Sequence, residues 1–140
     1  MDYTELAKEF LQNMYRFGKI GHRKKIDDTM RGEAFVIGYI SKQGGGVLPG
    51  EISGEMGISS ARIAAVLNAL ENKGLVTRRI DRGDRRKILV DLTAAGREAA
   101  KRYEIMALDG AVRMLEALGE RDARDFVRIL AKLADSSGDG

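Results

Sequence analysis

The stretch "RRIDRGDRRKILVDLT", residues 78–93, decides how this chain is read. Six of its first ten residues are basic: Arg78, Arg79, Arg82, Arg85, Arg86 and Lys87. Behind them Ile88, Val90 and Leu92 recur at every second position, the period of a strand. Upstream, "LVTRRI" (75–80) reads as a second strand, and "DRGDRR" between the two contains Gly83 and two aspartates, residues that favour turns. The prediction is a β-hairpin whose tip projects and carries positive charge.

The surroundings make that charge directional. Residues 59–92 carry eight basic and four acidic groups, whereas residues 1–58 balance at eight each and residues 93–140 carry eight basic and nine acidic. A basic block on an otherwise balanced chain points to a polyanion contact at one place.

Before the hairpin lies "ISSARIAAVLNALENKG" (58–74). Ser59 is a good N-cap, Gly74 sits where a helix ends, and Lys73 suits the last turn. Ile63, Val66, Leu67 and Leu70 form an inward stripe. Ala61, Ala65, Asn68 and Asn72 leave the opposite face slim and uncharged. Ahead of it, Pro49 suits the first turn of a short helix carrying Ile52 and Met56, which Gly57 stops. A short helix, a glycine break and a capped second helix are the signal of a helix-turn-helix, whose second helix enters the DNA major groove. That groove is about 12 Å wide, and Ala61, Ala64 and Ala65 suit entry to it. Ser59, Ser60 and Arg62 stand in the first turn as donors to phosphate or bases. A basic β-ribbon directly after such a unit makes it a winged helix. The ribbon tip can place arginine in the narrow minor groove, with Asp84 orienting a guanidinium through a paired contact.

Further out, Tyr3, Leu6, Phe10, Met14 and Phe17 predict a helix over 3–17 ended by Gly18 and Gly21, followed by a polar connector, "HRKKIDD" (22–28). Residues 30–42 predict a central helix, with Met30, Ala34, Ile37 and Ser41 on one stripe and Phe35, Val36 and Ile40 beside it. "QGGGVLPG" (43–50) interrupts the pattern. Thr93 is placed to cap a long helix to about Leu118, in which Ile105, Leu108, Val112 and Leu115 repeat by threes and fours like a coiled-coil seam. Residues 121–134 form a last amphipathic helix through Phe126, Leu130 and Leu133, and 135–140 read as a loose tail.

Composition sets the outer limits. The 140 residues suit a single domain with a sizeable core. There is no cysteine, which excludes disulfides, thiolate metal sites and thiol redox sensing, and the one histidine, His22, makes a histidine-based metal site improbable. No metal or cofactor is expected. No apolar run is long enough to span a membrane and the N-terminus does not read as a signal peptide, so the expected location is the cytoplasm. No nucleophile–histidine pairing, phosphate loop or metal cluster suggests an enzyme.

The motif "DRRKILVDLTAAG" (84–96) resembles the wing and following helix start of the MarR family of winged-helix transcriptional regulators, D-R-R-x-x-x-V-x-L-T-x-x-G. "GISSARIAAVLNALENKGLVTR" (57–78) is similar to the family's recognition helix and first wing strand, and the order of all seven elements matches. The resemblance implies a mainly α fold with a small β-hairpin wing: a winged helix-turn-helix lobe over 30–92, with dimerisation helices at 3–17 and 94–134. It implies a homodimer on a pseudo-palindromic duplex, with Leu6, Phe10, Ile105, Leu108, Val112, Leu115, Phe126 and Leu130 at the interface. Arg86 resembles the wing arginine of the minor groove and Asp84 the acid that braces it; Arg82, Arg85 and Lys87 complete the wing contacts. Family members often carry a long polar residue where this chain has Ala65, which shifts the expected base contacts to Ser60, Arg62 and Asn68. Many relatives bind small amphipathic aromatic molecules in a cleft, here expected beside Tyr15, Phe17, His22, Met30, Phe35 and Tyr39. The competing reading is a winged-helix module that binds protein, or a dimeric scaffold without specific DNA binding.

Overall fold

The computed structural model describes residues 1–21 and 25–138, with side chains described outside 19–30. In chain order the elements are α1 (Thr4–Gly21), α2 (Lys25–Gln43), α3 (Pro49–Met56), α4 (Ser60–Asn72), β1 (Val76–Ile80), β2 (Ile88–Leu92), α5 (Ala94–Leu118) and α6 (Glu120–Ser137). The backbone groups into two compact units, Met1–Ala100 and Lys101–Gly140.

The core of the first unit is built from α2, α3, α4 and the hairpin. Val36, Ile37 and Ile40 of α2, Ile52 of α3, Ile63, Leu67 and Leu70 of α4, and Val76 and Val90 of the hairpin are fully buried. Each fully buried aliphatic side chain contributes about 1.5–3 kcal/mol. The buried stripe of α2 runs through Glu33, Val36, Ile37 and Ile40, while Ser41 is exposed. The helix is central, as its composition predicts, but its inward face is turned from the expected one.

One buried charge sits in this core. The Glu33 carboxylate is only 4% exposed and accepts from Lys73 Nζ with both oxygens, at 2.8 and 2.9 Å. Lys73 is the C-cap residue of α4, so the pair ties the middle of α2 to the end of α4. A buried carboxylate without this partner would be strongly destabilising.

The end of α4 closes in a Schellman arrangement. Gly74 takes a positive φ of 74°, its N–H donates to Glu71 O at 2.9 Å, and Leu75 N–H donates to Leu70 O at 2.9 Å. The chain then enters β1, which pairs antiparallel with β2 from Val76↔Leu92 to Ile80↔Ile88. The expected alternation is real only near the core: Val90 is buried and Leu92 half-buried, but Ile88 is exposed. Toward the tip, Ile80 and Ile88 face each other in solvent.

Several sequence expectations are corrected. The helix from Thr4 continues through Gly18 to Gly21, because one glycine costs a helix only about 1 kcal/mol. Residues 25–28, expected in a connector, belong to α2. Residues 135–137, expected in a tail, finish α6. The "QGGGVLPG" segment is more than a break. Val47 is buried and forms a two-bond antiparallel bridge with Val90, at 3.1 and 2.8 Å, placing a third, one-residue segment beside β2. The glycines before it, 44, 45 and 46, all have positive φ, and Gly46 N–H donates to Asp91 Oδ1 at 2.7 Å. Asp91 Oδ2 in turn accepts from Arg79 Nε at 2.7 Å. Burial pushes the Asp91 carboxyl up, but the bonds from Arg79 and Gly46 and the Arg79 charge outweigh it, leaving the pKa lowered.

The turn from β2 into α5 is held by three hydrogen bonds made by Thr93. Thr93 Oγ1 donates to Gly74 O at 2.6 Å and accepts from Gly96 N–H at 3.0 Å, while Thr93 N–H donates to Leu75 O at 3.1 Å. Gly96 is buried, and a Cβ there would be driven onto the Leu75 carbonyl oxygen and against Leu92 Cβ at 3.3 Å.

In the second unit, the last part of α5 turns at Gly119 (φ 83°) into α6. Ile105, Leu108 and Val112 of α5 and Phe126, Val127, Ile129, Leu130 and Leu133 of α6 are all exposed, and Leu115 is half-buried.

Two stability changes follow. Gly96→Ala is expected to destabilise the fold by about 1–3 kcal/mol through overpacking against backbone, read by urea unfolding. Asp91→Asn is expected to be less stable than the parent at neutral pH. Because the folded carboxyl titrates below its usual value, the contribution is fully present above the ordinary aspartate range and is lost as pH falls through the lowered value. The gap between the two proteins should therefore narrow in acid, measured by denaturant melts across pH.

Candidate nucleic-acid interface

The two elements expected to meet DNA lie in the same unit, joined directly through Gly74 and Leu75. Helix α4 begins at Ser59, whose Oγ accepts from Arg62 N–H at 3.2 Å in an N-cap. Gly57, with φ 65°, makes the turn from α3, and Ser53 Oγ donates to Ile58 O at 2.6 Å to hold it. These caps set the angle at which α4 leaves α3. With Ile63, Leu67 and Leu70 buried inward, Ser59, Ser60, Ala61, Arg62, Ala64, Ala65 and Asn68 are all exposed. The outer face is thus the slim one the sequence predicts. The Arg62 guanidinium has no hydrogen-bond or ion-pair partner among the described residues.

The wing tip is folded by its own aspartates. Asp81 Oδ1 accepts from Gly83 N–H at 3.0 Å, and Asp84 Oδ1 accepts from Arg86 N–H at 3.0 Å. Asp81 N–H donates to Lys87 O at 2.9 Å, and Lys87 N–H to Asp84 O at 3.0 Å, closing the loop. Asp84 also receives the Arg86 side chain, Nε on Oδ1 at 3.2 Å and Nη2 on Oδ2 at 3.4 Å. The side-chain bond and then the backbone bond from Arg86, helped by Lys87, hold the Asp84 carboxyl below its ordinary pKa against a smaller effect of burial. The Arg86 side chain is 91% exposed all the same, so the pair aims a guanidinium without hiding it. Arg82, Arg85 and Lys87 are exposed too.

Arg78 of β1 was not among the residues singled out by function, yet it bridges the helix and the wing. Its Nη2 donates to Asn68 Oδ1 at 2.7 Å, and its Nε lies 3.5 Å from Glu71 Oε2. The period of two was the available signal: Val76 and Arg78 share a strand face, and Val76 is buried.

Of the expected ligand residues that are described, only Phe35 borders a groove of about 660 Å³ beside α4, whose wall also includes Glu33, Met56, Arg62, Ala65 and Val66. Tyr39 is half-buried and does not border that groove; burial, then the nearby Glu51 and Glu55, raise its phenol pKa. Tyr15 and Phe17 are exposed on α1. His22 and the Met30 side chain lie outside the described residues. Among the described residues no cluster of metal-ligating side chains occurs, and no helix is long and apolar enough to cross a membrane.

Comparison with known proteins agrees with this architecture. A model of the MarR family matches residues 28–87, the stretch from α2 through the wing tip. An HTH-type transcriptional regulator of Bacillus subtilis (strain 168), YwhA, is 30% identical over 103 residues, 71% of each chain. The HTH-type transcriptional repressor Rv2887 of Mycobacterium tuberculosis is 31% identical over 99 residues, again 71% of each chain. Among solved structures, Streptococcus pneumoniae FabT in complex with DNA superposes with a TM-score of 0.71 at 22% identity, covering 99% of both chains. The capped helix, its slim outer face, the aspartate-folded basic wing and the extended match in sequence place this chain in the MarR family of winged-helix transcriptional regulators.

Proposed function

We propose that the protein is a sequence-specific repressor that binds double-stranded DNA in the cytoplasm as a homodimer, on a pseudo-palindromic operator. The observation that carries this reading is the pairing, on one unit, of a slim exposed helix face with a wing tip whose arginines are exposed and whose Arg86 is already aimed by Asp84. Ser60, Ala61, Arg62, Ala64, Ala65 and Asn68 enter the major groove, with Ser59 capping the helix start that faces phosphate. Arg86 enters the minor groove, and Arg82, Arg85 and Lys87 meet phosphates along its edges. The repressor named in Mycobacterium tuberculosis and the DNA complex of the pneumococcal neighbour support the same assignment.

A single chain leaves Leu6, Phe10, Ile105, Leu108, Val112, Phe126 and Leu130 exposed. Apolar surface on that scale marks an interface in a protein that stays in solution. A second copy covering these faces presents two recognition helices, about 34 Å apart for successive major grooves. The groove beside α4, bordered by Phe35, falls in the size range of small-molecule sites. An amphipathic aromatic effector there would press on Arg62, Ala65 and Val66 of the recognition helix and release the operator.

The test is selection of tight binders from a random duplex library, followed by a salt titration. Affinity for the selected site is expected to fall steeply between roughly 50 and 200 mM salt, with a log–log slope near −0.9 per phosphate contact. A shallow slope with no enriched sequence returns the protein to the class of protein-binding winged helices. Arg86→Ala is expected to weaken binding to the selected duplex by about 1–3 kcal/mol in a fluorescence anisotropy titration. Leu108→Asp, whose parent side chain is 64% exposed in one chain, is expected to run as a monomer by analytical ultracentrifugation and to lose operator binding with the dimer.

A further inference from the structure

We infer that Arg78 sets the base preference of Asn68, making it a reader of guanine rather than adenine. The inference rests on the DNA-binding reading above and goes beyond it, because it names a base class and a residue that controls it.

Asn68 lies on the exposed face of α4, three residues after Ala65 and seven after Ala61, so it belongs to the row that faces the groove. A free carboxamide offers one acceptor and two donors. That matches adenine, whose major-groove edge has an N7 acceptor and an N6 amino donor, in a two-bond contact. Here the acceptor is engaged. Arg78 Nη2 donates to Asn68 Oδ1 at 2.7 Å, a charge-assisted bond. Arg78 is fixed in its turn, with its side chain 29% exposed, Glu71 Oε2 at 3.5 Å, and its backbone paired with Val90 across the hairpin.

What Asn68 has left to offer is its amino group. The second lone pair on Oδ1 remains, but an adenine amino group approaching it would come up beside a guanidinium, and the two positive hydrogen-bearing groups repel. Guanine presents N7 and O6, both acceptors, and places no donor there. The guanidinium charge favours that edge as well. Thymine, with one acceptor, ranks second, and cytosine, whose N4 is a donor, is excluded. Arg78 is a positioning residue in this scheme: it acts through Asn68 and need not touch a base.

The experiment is duplex selection in parallel with the parent protein, Asn68→Ala and Arg78→Met, each checked for folding by thermal unfolding. The parent is expected to enrich guanine at one position in each half-site. Asn68→Ala should flatten that position alone. Arg78→Met, which frees the Asn68 carbonyl, should move it toward adenine, changing the guanine-to-adenine ratio roughly fivefold to a hundredfold. If Arg78→Met does not fold, Arg78→Lys takes its place; its shorter reach loosens the bond to Oδ1 and should shift the ratio in the same direction by less. Adenine at the Asn68-dependent position in the parent overturns the inference. So does an unchanged preference in the folded Arg78 variant, or an Asn68→Ala variant with the parent's full consensus. Enrichment of no duplex by the parent is a different failure: it removes the DNA-binding reading itself, and this inference with it.

Discussion

The arrangement depends on the hydrogen-bonded joint where Thr93 meets Gly74, Leu75 and Gly96. Four elements end or begin there, β2 among them, which closes at Leu92. The recognition helix stops at Gly74, the first wing strand departs through Leu75, and α5 starts under the Thr93 side chain. One hydroxyl both donates to the Gly74 carbonyl and accepts from the Gly96 N–H, at 2.6 and 3.0 Å. The Leu75 carbonyl is claimed by the Thr93 N–H, and Gly96 has no side chain because that carbonyl occupies the space. Polar backbone that would be costly to bury unpaired is satisfied within a few residues. The base of the wing therefore has a fixed position relative to the end of α4.

Two further clasps act on the same lobe from other sides. Glu33 and Lys73 hold the C-terminal end of α4 to α2. Asp91 holds the glycine loop 44–46 and Arg79 to the second wing strand. Each is a carboxylate contacted by segments distant in sequence, and each fixes an edge of the surface that carries Asn68, Arg62 and the wing arginines. The tip itself needs no such help, since Asp81 and Asp84 fold it through bonds that stay within the loop, none reaching beyond Lys87.

That difference in range explains what could be read in the sequence. The hairpin, the Ser59 cap, the Gly74 stop, the Pro49 start and the inward row of α4 are local in origin, written by a period or by one residue of the right type, and the structure contains them, except that Val66 of that row is half-buried and borders the groove. The motif threonine and glycine at 93 and 96 were also visible, although their joint reason, the Leu75 carbonyl, was not. Nothing local marks Glu33 as buried, because its partner Lys73 is 40 positions away. Val47 sat in a segment that glycine and proline marked as a break, and only its pairing with Val90 makes it core. Arg78 was counted with the basic block, yet its neighbours on the same strand face place it against α4. For the ligand residues the sequence offered only aromatic and apolar character, which does not distinguish a groove wall such as Phe35 from an exposed helix face such as Tyr15 and Phe17.

The wing also carries an uncharged feature. Ile80 and Ile88 stand opposite each other where the strands leave the core, 62% and 47% exposed. Exposed apolar surface of this kind is hydrated at a free-energy cost. A partner that touches only the arginines leaves this hydration in place, whereas one that seats down to the root of the tip strips it away and lowers the heat capacity of the complex. Calorimetry at several temperatures would thus gauge how deeply the ribbon sinks, independently of how many charges it neutralises.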